Sequence, residues 1–293
     1  NLSLSNNIKL NLIKEVSGFK SLSSKILIGK ATINSREVKK VDIFFAIKGI
    51  KNDGNKFVGQ SFKKKASVVI VNKFNKKYNI NRQVKVKNTL NFLTETAKIF
   101  RKNISTNIIA ITGSSGKTSL KELLGNSLRK ISKVSISPRS YNNKYGVPLS
   151  LFNINQNDNY GVLEVGMDKK GEIDYLSKII QPDVSVITNI SYAHAKNFKS
   201  IRHIALAKAE IIKNTKYNGT VVLNADDNFF KLHKKISQNN KLKVISFGIE
   251  NEKSDIKLTS IKKENAHFRI NIKYKKLNRF FLISNNFKSN IYN

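Results

Sequence analysis

Thr112-Gly113-Ser114-Ser115-Gly116-Lys117-Thr118-Ser119 is the stretch whose residue types most plainly do chemistry. It lies between an apolar run, Ile108 to Ile111, and a segment with helical spacing, Leu120, Leu123, Leu124, Leu128 and Ile131. Glycines let backbone amides close around phosphate oxygens, the amino end of a helix adds partial positive charge, and a lysine can neutralise β and γ phosphates. Thr118 or Ser119 can offer a hydroxyl to Mg²⁺. The first glycine of the usual phosphate-loop pattern is replaced by Ile111, so a strict pattern search passes over this site. A Gly-Ser turn capping a helix is the plainer alternative, but it does not account for strand, Gly-Lys-Thr and helix falling together.

The elements that must position this loop follow from periodicity. After Ile108, apolar strand candidates alternate with amphipathic helices: Val162 to Val165, a helix through Ile173, Leu176 and Ile180, Val184 to Ile187, a helix from Ile201 to Ile212, and Thr220 to Leu223. That alternation predicts an α/β fold with a mostly parallel sheet flanked by helices. Beyond Val244 the spacing shortens, as in Phe268, Ile270, Ile272 and Tyr274 followed by Arg279 to Ile283, and predicts a short antiparallel section. The first segment carries strand-like runs at Val41 to Ile47 and Ala66 to Val71 and reads as a small α/β unit. A helix over Asn88 to Lys102 leads into the next domain, and the boundary is placed near Asn81, giving domains 1–81 and 82–293.

Composition bounds the rest. The 293 residues, 40% of them hydrophobic, suffice for about two domains. No run approaches the roughly 20 apolar residues of a membrane span, and the amino terminus lacks a basic region followed by an apolar one, so a cytoplasmic chain without membrane insertion is expected. With no cysteine, disulfides and thiolate metal sites are excluded, leaving oxygen and imidazole ligands and Mg²⁺ as the natural ion. The net charge of +35 points to anionic partners, nucleic acid among them. The lysines are scattered, however, without the aromatic interleaving of a stacking surface, and abundant Lys, Asn and Ile with no Trp fit AT-rich codon bias. A catalytically dead basic module that binds nucleotide or nucleic acid stands as the rival reading.

The variant loop resembles the Thr-Gly-x-x-Gly-Lys-Thr signature of the Mur ligases, the ATP-dependent ligases of peptidoglycan precursor synthesis. Further segments follow in that family's order: Tyr141 to Pro148 is similar to its Asn-Asn-x-x-Gly-x-Pro stretch, and Leu163-Glu164-Val165-Gly166 with Gly171-Glu172-Ile173 to its second strand and turn. Thr188-Asn189-Ile190, Ala193-His194, Ala207-Lys208-Ala209-Glu210 and Asn224-Ala225-Asp226-Asp227 complete a central-domain pattern. Asn34-Ser35-Arg36, Phe44 to Gly49 and Asp53-Gly54 resemble the nucleotide-sugar-binding domain. The Gly-Glu-Ile turn and Ala-Lys-x-Glu helix favour the branch that adds D-alanyl-D-alanine to UDP-N-acetylmuramoyl-tripeptide over branches adding another amino acid.

The resemblance implies that a substrate carboxylate attacks ATP, and that the acyl phosphate is captured by an amine to give an amide, ADP and phosphate. By carry-over, the 112–119 loop and Asn224 would hold ATP, Thr118, Glu164 and His194 would ligate Mg²⁺, and Lys208 matches a lysine that several relatives carry as a carbamate. Lys117, Glu164, His194 and Lys208 would form the catalytic set. Ser35, Arg36, Asn142 and Asn143 would hold the UDP-muramoyl peptide; Asp226 and Asp227 could equally cap the following helix. Departures occur at Asn34, where aspartate is common, at Asn55, where the Asp-Gly-His segment has histidine, and at Ser191-Tyr192, where Gly-Pro precedes Ala-His. Phe287 to Asn293 is similar to the Gly-x-His-Asn-x-Tyr-Asn stretch near the end of the central domain. A C-terminal ligase domain is therefore expected to be absent from this chain, which would be a monomer with little or no activity alone; the missing initiator methionine fits a trimmed or fragmentary chain.

Overall fold

A computed structural model describes residues 2–49, 52–192, 195–265 and 267–284, without the side chains of residues 2–7, 195 and 284. The chain forms two compact units, one of residues 1–105 with 144–157, the other of 106–143 with 158–293.

The first unit holds α1 (Leu2–Ser17), β1 (Ala31–Thr32), β2 (Ile43–Phe45), α2 (Val58–Lys63), β3 (Val68–Val71), β4 (Gln83–Lys85) and α3 (Thr89–Lys102). Its four strands pair in the order β1-β2-β3-β4, all parallel. A parallel sheet needs cover on both faces. Phe44, Val69 and Val71 pack with Val38 and Val58 and with Phe62, Phe74 and Tyr78 on one side. On the other, Phe45 meets Phe92 of α3 and Phe152, whose ring also stands edge-on to Phe100. Burying each such ring contributes roughly 1.5–3 kcal/mol.

These contacts move the expected boundary. The residues after Asn81 belong to the first unit, because β4 completes its sheet and α3 supplies its core. Chain from the second half returns as well: Gly146–Phe152 forms a helix buried throughout, labelled α5 in chain order. Asn153 joins it to β1, accepting from Ala31 N at 2.7 Å and donating to Ala31 O at 2.8 Å. The expected helix at 88–102 forms at 89–102, its amino end capped by Asn88 accepting from Asn91 N.

The second unit holds β5 (Asn107–Thr112), α4 (Lys117–Arg129), β6 (Val134–Ile136), β7 (Tyr160–Glu164), α6 (Glu172–Ile180), β8 (Val184–Ile187), α7 (Ile201–Lys208), α8 (Glu210–Lys213), β9 (Thr220–Asn224), α9 (Phe230–Asn239), β10 (Lys243–Gly248), β11 (Ile256–Glu264), β12 (His267–Tyr274) and β13 (Leu277–Ser284). Its sheet runs β13-β12-β11-β10-β9-β8-β5-β7-β6. Strands β6 to β10 are parallel to β5, and β11 is parallel to β10; only β11-β12-β13 are antiparallel. The change of pattern expected beyond Val244 thus begins one strand later. β10 follows α9 in a strand-helix-strand crossover, which returns the chain parallel. Among the described residues no helix is long and apolar enough to cross a membrane.

Candidate functional site

The phosphate-loop sequence leaves the carboxyl end of β5 and enters α4. Gly113 has φ +153° and Gly116 φ +79°, values that L side chains rarely adopt. A Cβ on Gly113 would lie 1.8 Å from Thr188 Oγ1, so only glycine lets the loop pass over the end of β8. There Thr188 Oγ1 donates to Ser115 O at 2.7 Å, Ser114 N to Asn189 O at 2.9 Å and Ser115 N to Asn189 Oδ1 at 3.0 Å. Ser114 Oγ donates to Ser191 O and accepts from Ser191 N. Among the described residues no side chain caps α4 at Gly116, so the N–H groups of its first turn have no side-chain acceptor.

Two lysines meet at this turn. Lys117 Nζ and Lys208 Nζ each donate to Gly113 O at 3.0 Å. Lys208 is 3% exposed, and burial, then repulsion from Lys117, pushes its ammonium down to about 7. Burial also lowers Lys117, against attraction from Glu164. Lys208 stands at the end of α7, whose junction with α8 is pinned by Glu210. That carboxylate accepts from Gly171 N at 3.0 Å and Asp174 N at 3.0 Å, at the amino end of α6, where negative charge is favoured.

Glu164, the last residue of β7 and 1% exposed, faces the same loop. It accepts from Thr118 Oγ1 at 2.8 Å on one oxygen and from Asn142 Nδ2 at 2.7 Å on the other. Asn142 O in turn accepts from Gly166 N at 2.8 Å, and a Cβ at Gly166 would come within 2.8 Å of the Asn142 side chain. Asn224, at the end of β9, donates to Thr188 O at 3.3 Å.

The structure thus gathers Lys117, Thr118, Glu164, Asn142 and Lys208 around Gly113, with Ser114, Ser115 and Asn224 tied to the adjoining β8 end. Ser119 and Asn143 are exposed, and His194 lies outside the described residues, as does the 287–293 motif. Asp227 accepts from Phe229 N at 2.8 Å just before α9 but also from Ile190 N, whereas Asp226 accepts from Ile249, Glu250 and Asn251 amides and so turns the chain after β10 rather than capping α9. In the first unit, Ser35 is buried and donates to Gln60 Oε1 at 2.7 Å, while Arg36 is exposed. Asn55, at the departure from histidine, donates to Asp53 Oδ1 and Asn72 Oδ1, and it holds the Asp53 carboxyl below its usual range. Lys121, whose side chain is fully buried on α4, carries no signal in the sequence, and Thr188, Asn189 and Glu210 stand there only as members of longer segments.

The residues suit a triphosphate: repulsion between two ammonium groups sharing one carbonyl is relieved by an anion between them, and an uncapped helix end faces the same place. They also suit a hard divalent ion, for which a hydroxyl and a carboxylate are ordinary ligands. Among the described residues no three acidic, His or Cys side chains cluster as a complete metal site, so phosphate oxygens and water would have to fill the remaining positions.

A glycine loop at the carboxyl end of a central parallel strand, with lysine, hydroxyl and a neighbouring strand-end carboxylate, defines a phosphate-loop nucleotide-binding domain. Residues 111–293 match the Mur ligase middle domain, and residues 28–101 match the catalytic domain of the Mur ligase family. The chain belongs to the Mur ligase family. It is 37% identical over 231 residues to a UDP-N-acetylmuramoyl-tripeptide–D-alanyl-D-alanine ligase of Buchnera aphidicola, covering 78% of this chain and 49% of that protein. A Rickettsia prowazekii protein of the same name is 35% identical over 228 residues, 78% of this chain and 51% of its own length. The chain spans about half the length of the curated relatives it matches. Among solved structures, MurF from Acinetobacter baumannii superposes with a TM-score of 0.82 at 28% identity, over 96% of this chain and 61% of that one. MurF from Thermotoga maritima in complex with ADP gives 0.73 at 30% identity, over 89% and 59%.

Proposed function

We propose that this chain supplies the nucleotide-binding part, with an adjoining substrate domain, of an ATP-dependent amide ligase joining D-alanyl-D-alanine to UDP-N-acetylmuramoyl-tripeptide in the cytoplasm. The observation that carries the reading is the meeting of Lys117 and Lys208 on Gly113 O at the uncapped start of α4. The names of the relatives support the substrate assignment. Lys117 and the loop amides hold the β and γ phosphates, and Lys208 adds a second charge where negative charge builds up during transfer. Thr118 and Glu164, with His194, hold Mg²⁺, which when bound helps neutralise the phosphates. Asn142 orients Glu164 and, with Asn143, borders the substrate carboxylate; Asn224 lies toward the adenine. Ser35 and Arg36 contact the UDP-muramoyl peptide. Phosphoryl transfer to a carboxylate asks for positioning and charge neutralisation, with no covalent nucleophile from the protein.

Calorimetric titration with ATP, with and without Mg²⁺, together with phosphate release in the presence of both acceptor substrates, tests the reading. Lys117-dependent ATP binding and release that needs UDP-N-acetylmuramoyl-tripeptide are expected once the remaining segment of a longer relative is supplied. Absence of ATP binding together with tight, salt-sensitive binding to DNA or RNA would overturn it in favour of the nucleic-acid module.

A further inference from the structure

Lys121 is a buried charge that the reading above leaves without work. It lies one helical turn beyond Lys117, and its side chain is fully buried. A desolvated ammonium is costly unless close partners compensate it. It donates to the carbonyl of Arg139, lies 3.3 Å from Glu122 Oε1 and stands 4.0 Å from Glu164 Oε2. Arg139 belongs to the turn after β6 and has φ +48°, a left-handed value that is strained for a non-glycine residue and persists where neighbours enforce it. Three residues further along the same turn, Asn142 donates to Glu164 Oε1, and Thr118, on the helix that carries Lys121, donates to Glu164 Oε2. A ring is closed: α4 to turn through Lys121, turn to Glu164 through Asn142, and Glu164 back to α4 through Thr118.

We propose that Lys121 is a positioning residue which clamps the Asn142-bearing turn to the phosphate-loop helix and so fixes the direction in which Glu164 presents its carboxylate to a divalent ion. The proposal rests on the reading that Glu164 holds the metal of a nucleotide site. It differs in sign from a plain charge effect. Removing a cation 4.0 Å from Glu164 should by electrostatics alone tighten the binding of a second cation, whereas loosening the clamp should weaken it.

The test is the Mg²⁺ dependence of ATP binding by the full chain, measured calorimetrically for the wild type, Lys121→Met and Lys121→Arg, with thermal melts alongside. Methionine approximates the lysine's volume but leaves the Arg139 carbonyl and the buried Glu164 carboxylate without their cation, so the melting temperature is expected to fall, and binding is compared at a temperature where all variants remain folded. The Met variant is expected to need about tenfold more Mg²⁺, the usual scale for losing a group that orients a metal ligand, while its metal-free ATP affinity stays within about twofold. Arginine should recover most of the shift. An unchanged or lowered Mg²⁺ requirement, or a parallel loss of metal-free ATP binding, overturns the proposal. Should the Met variant not fold, Lys121→Gln, which keeps a shorter donor, is read the same way: an increase of about threefold supports the clamp and no change overturns it. A wild-type chain whose ATP binding ignores Mg²⁺, or a Glu164→Gln variant that keeps the wild-type dependence, overturns the underlying reading separately.

Discussion

The two units spend their polar side chains differently. In the first, buried and half-buried polar groups tie down its own backbone and one another: Asp42 accepts from Lys30 N and Lys39 N, Gln83 binds the Asn75 backbone in both directions, and Asn55 and Ser35 pair with Asn72 and Gln60. In the second, Lys117, Lys208, Glu164, Thr118 and Asn142 converge on one glycine loop, and two of them repel each other. A satisfied network is at rest with its own backbone. A converging one that concentrates like charge is at rest only with something added, and this marks where binding energy is available.

The largest effect should therefore come from Lys117. Lys117→Met is expected to weaken ATP binding at least about a hundredfold, or about 2.7 kcal/mol, without lowering the melting temperature, since it also relieves the repulsion on Lys208. Equal losses of affinity and stability would mean that the loop is a structural turn, and the contrast between the units would dissolve. Glu164→Gln comes next. It keeps the side chain's shape and one acceptor oxygen, which Asn142 Nδ2 can still use, but turns the other acceptor into a donor and removes the charge, and the Mg²⁺ requirement for tight ATP binding should rise by roughly tenfold or more.

Lys117 was legible in the sequence because a phosphate loop is local: adjacent positions supply its glycines, amides and lysine, and β5 and β7 announce themselves as apolar runs, whereas Glu164 at the end of β7 was singled out by the family resemblance. What escaped depends on distant chain. The expected apolar stripe of α4 included Leu123 and Ile131, yet these are 37% and 81% exposed, while the fully buried positions of the helix are Lys121 and Gly125. A Cβ at Gly125 would come within 2.3 Å of the Ile136 side chain, which would have to shift, and Lys121 is buried with the Arg139 carbonyl as its acceptor. Neither partner has a helical period to betray it. Gly146 to Pro148 read as the end of the family's Asn-Asn-x-x-Gly-x-Pro stretch, and the packing of Phe152 on Phe45 and Phe100 assigns the helix they begin to the first unit. β1 and β4, of two and three residues, are too short for alternation to register.

The lysine pair predicts a smaller effect that depends on pH. The Lys208 ammonium sits at about 7 in the folded chain against an unperturbed 10.5, so between these values the unfolded state binds more protons. Stability contributed at this position should accordingly rise with pH from about 7 toward 10.5, the burial penalty on the charged form being fully present below that window. Comparing melting temperatures of the wild type and Lys208→Met from pH 7 to about 10, the difference should shrink in the methionine's disfavour as the wild type gains; a constant difference would show that Lys208 does not titrate there. Lys117→Met should shift the wild-type rise to higher pH, because it removes the neighbouring charge that depresses Lys208.

The smallest effects belong to the first unit, and they test the other side of the contrast. Ser35→Ala leaves Gln60 Oε1 without its 2.7 Å donor and should cost about 1 kcal/mol of stability, with ATP affinity unchanged. Arg36→Ala, at an exposed side chain, should alter stability by less than about 0.5 kcal/mol. If Arg36 meets the UDP-muramoyl peptide as proposed, its loss should appear in the affinity for that substrate and nowhere else. A drop in melting temperature with no change in UDP-muramoyl peptide affinity would place Arg36 among the residues that the fold has already used, and the first unit would then keep no side chain in reserve at this turn.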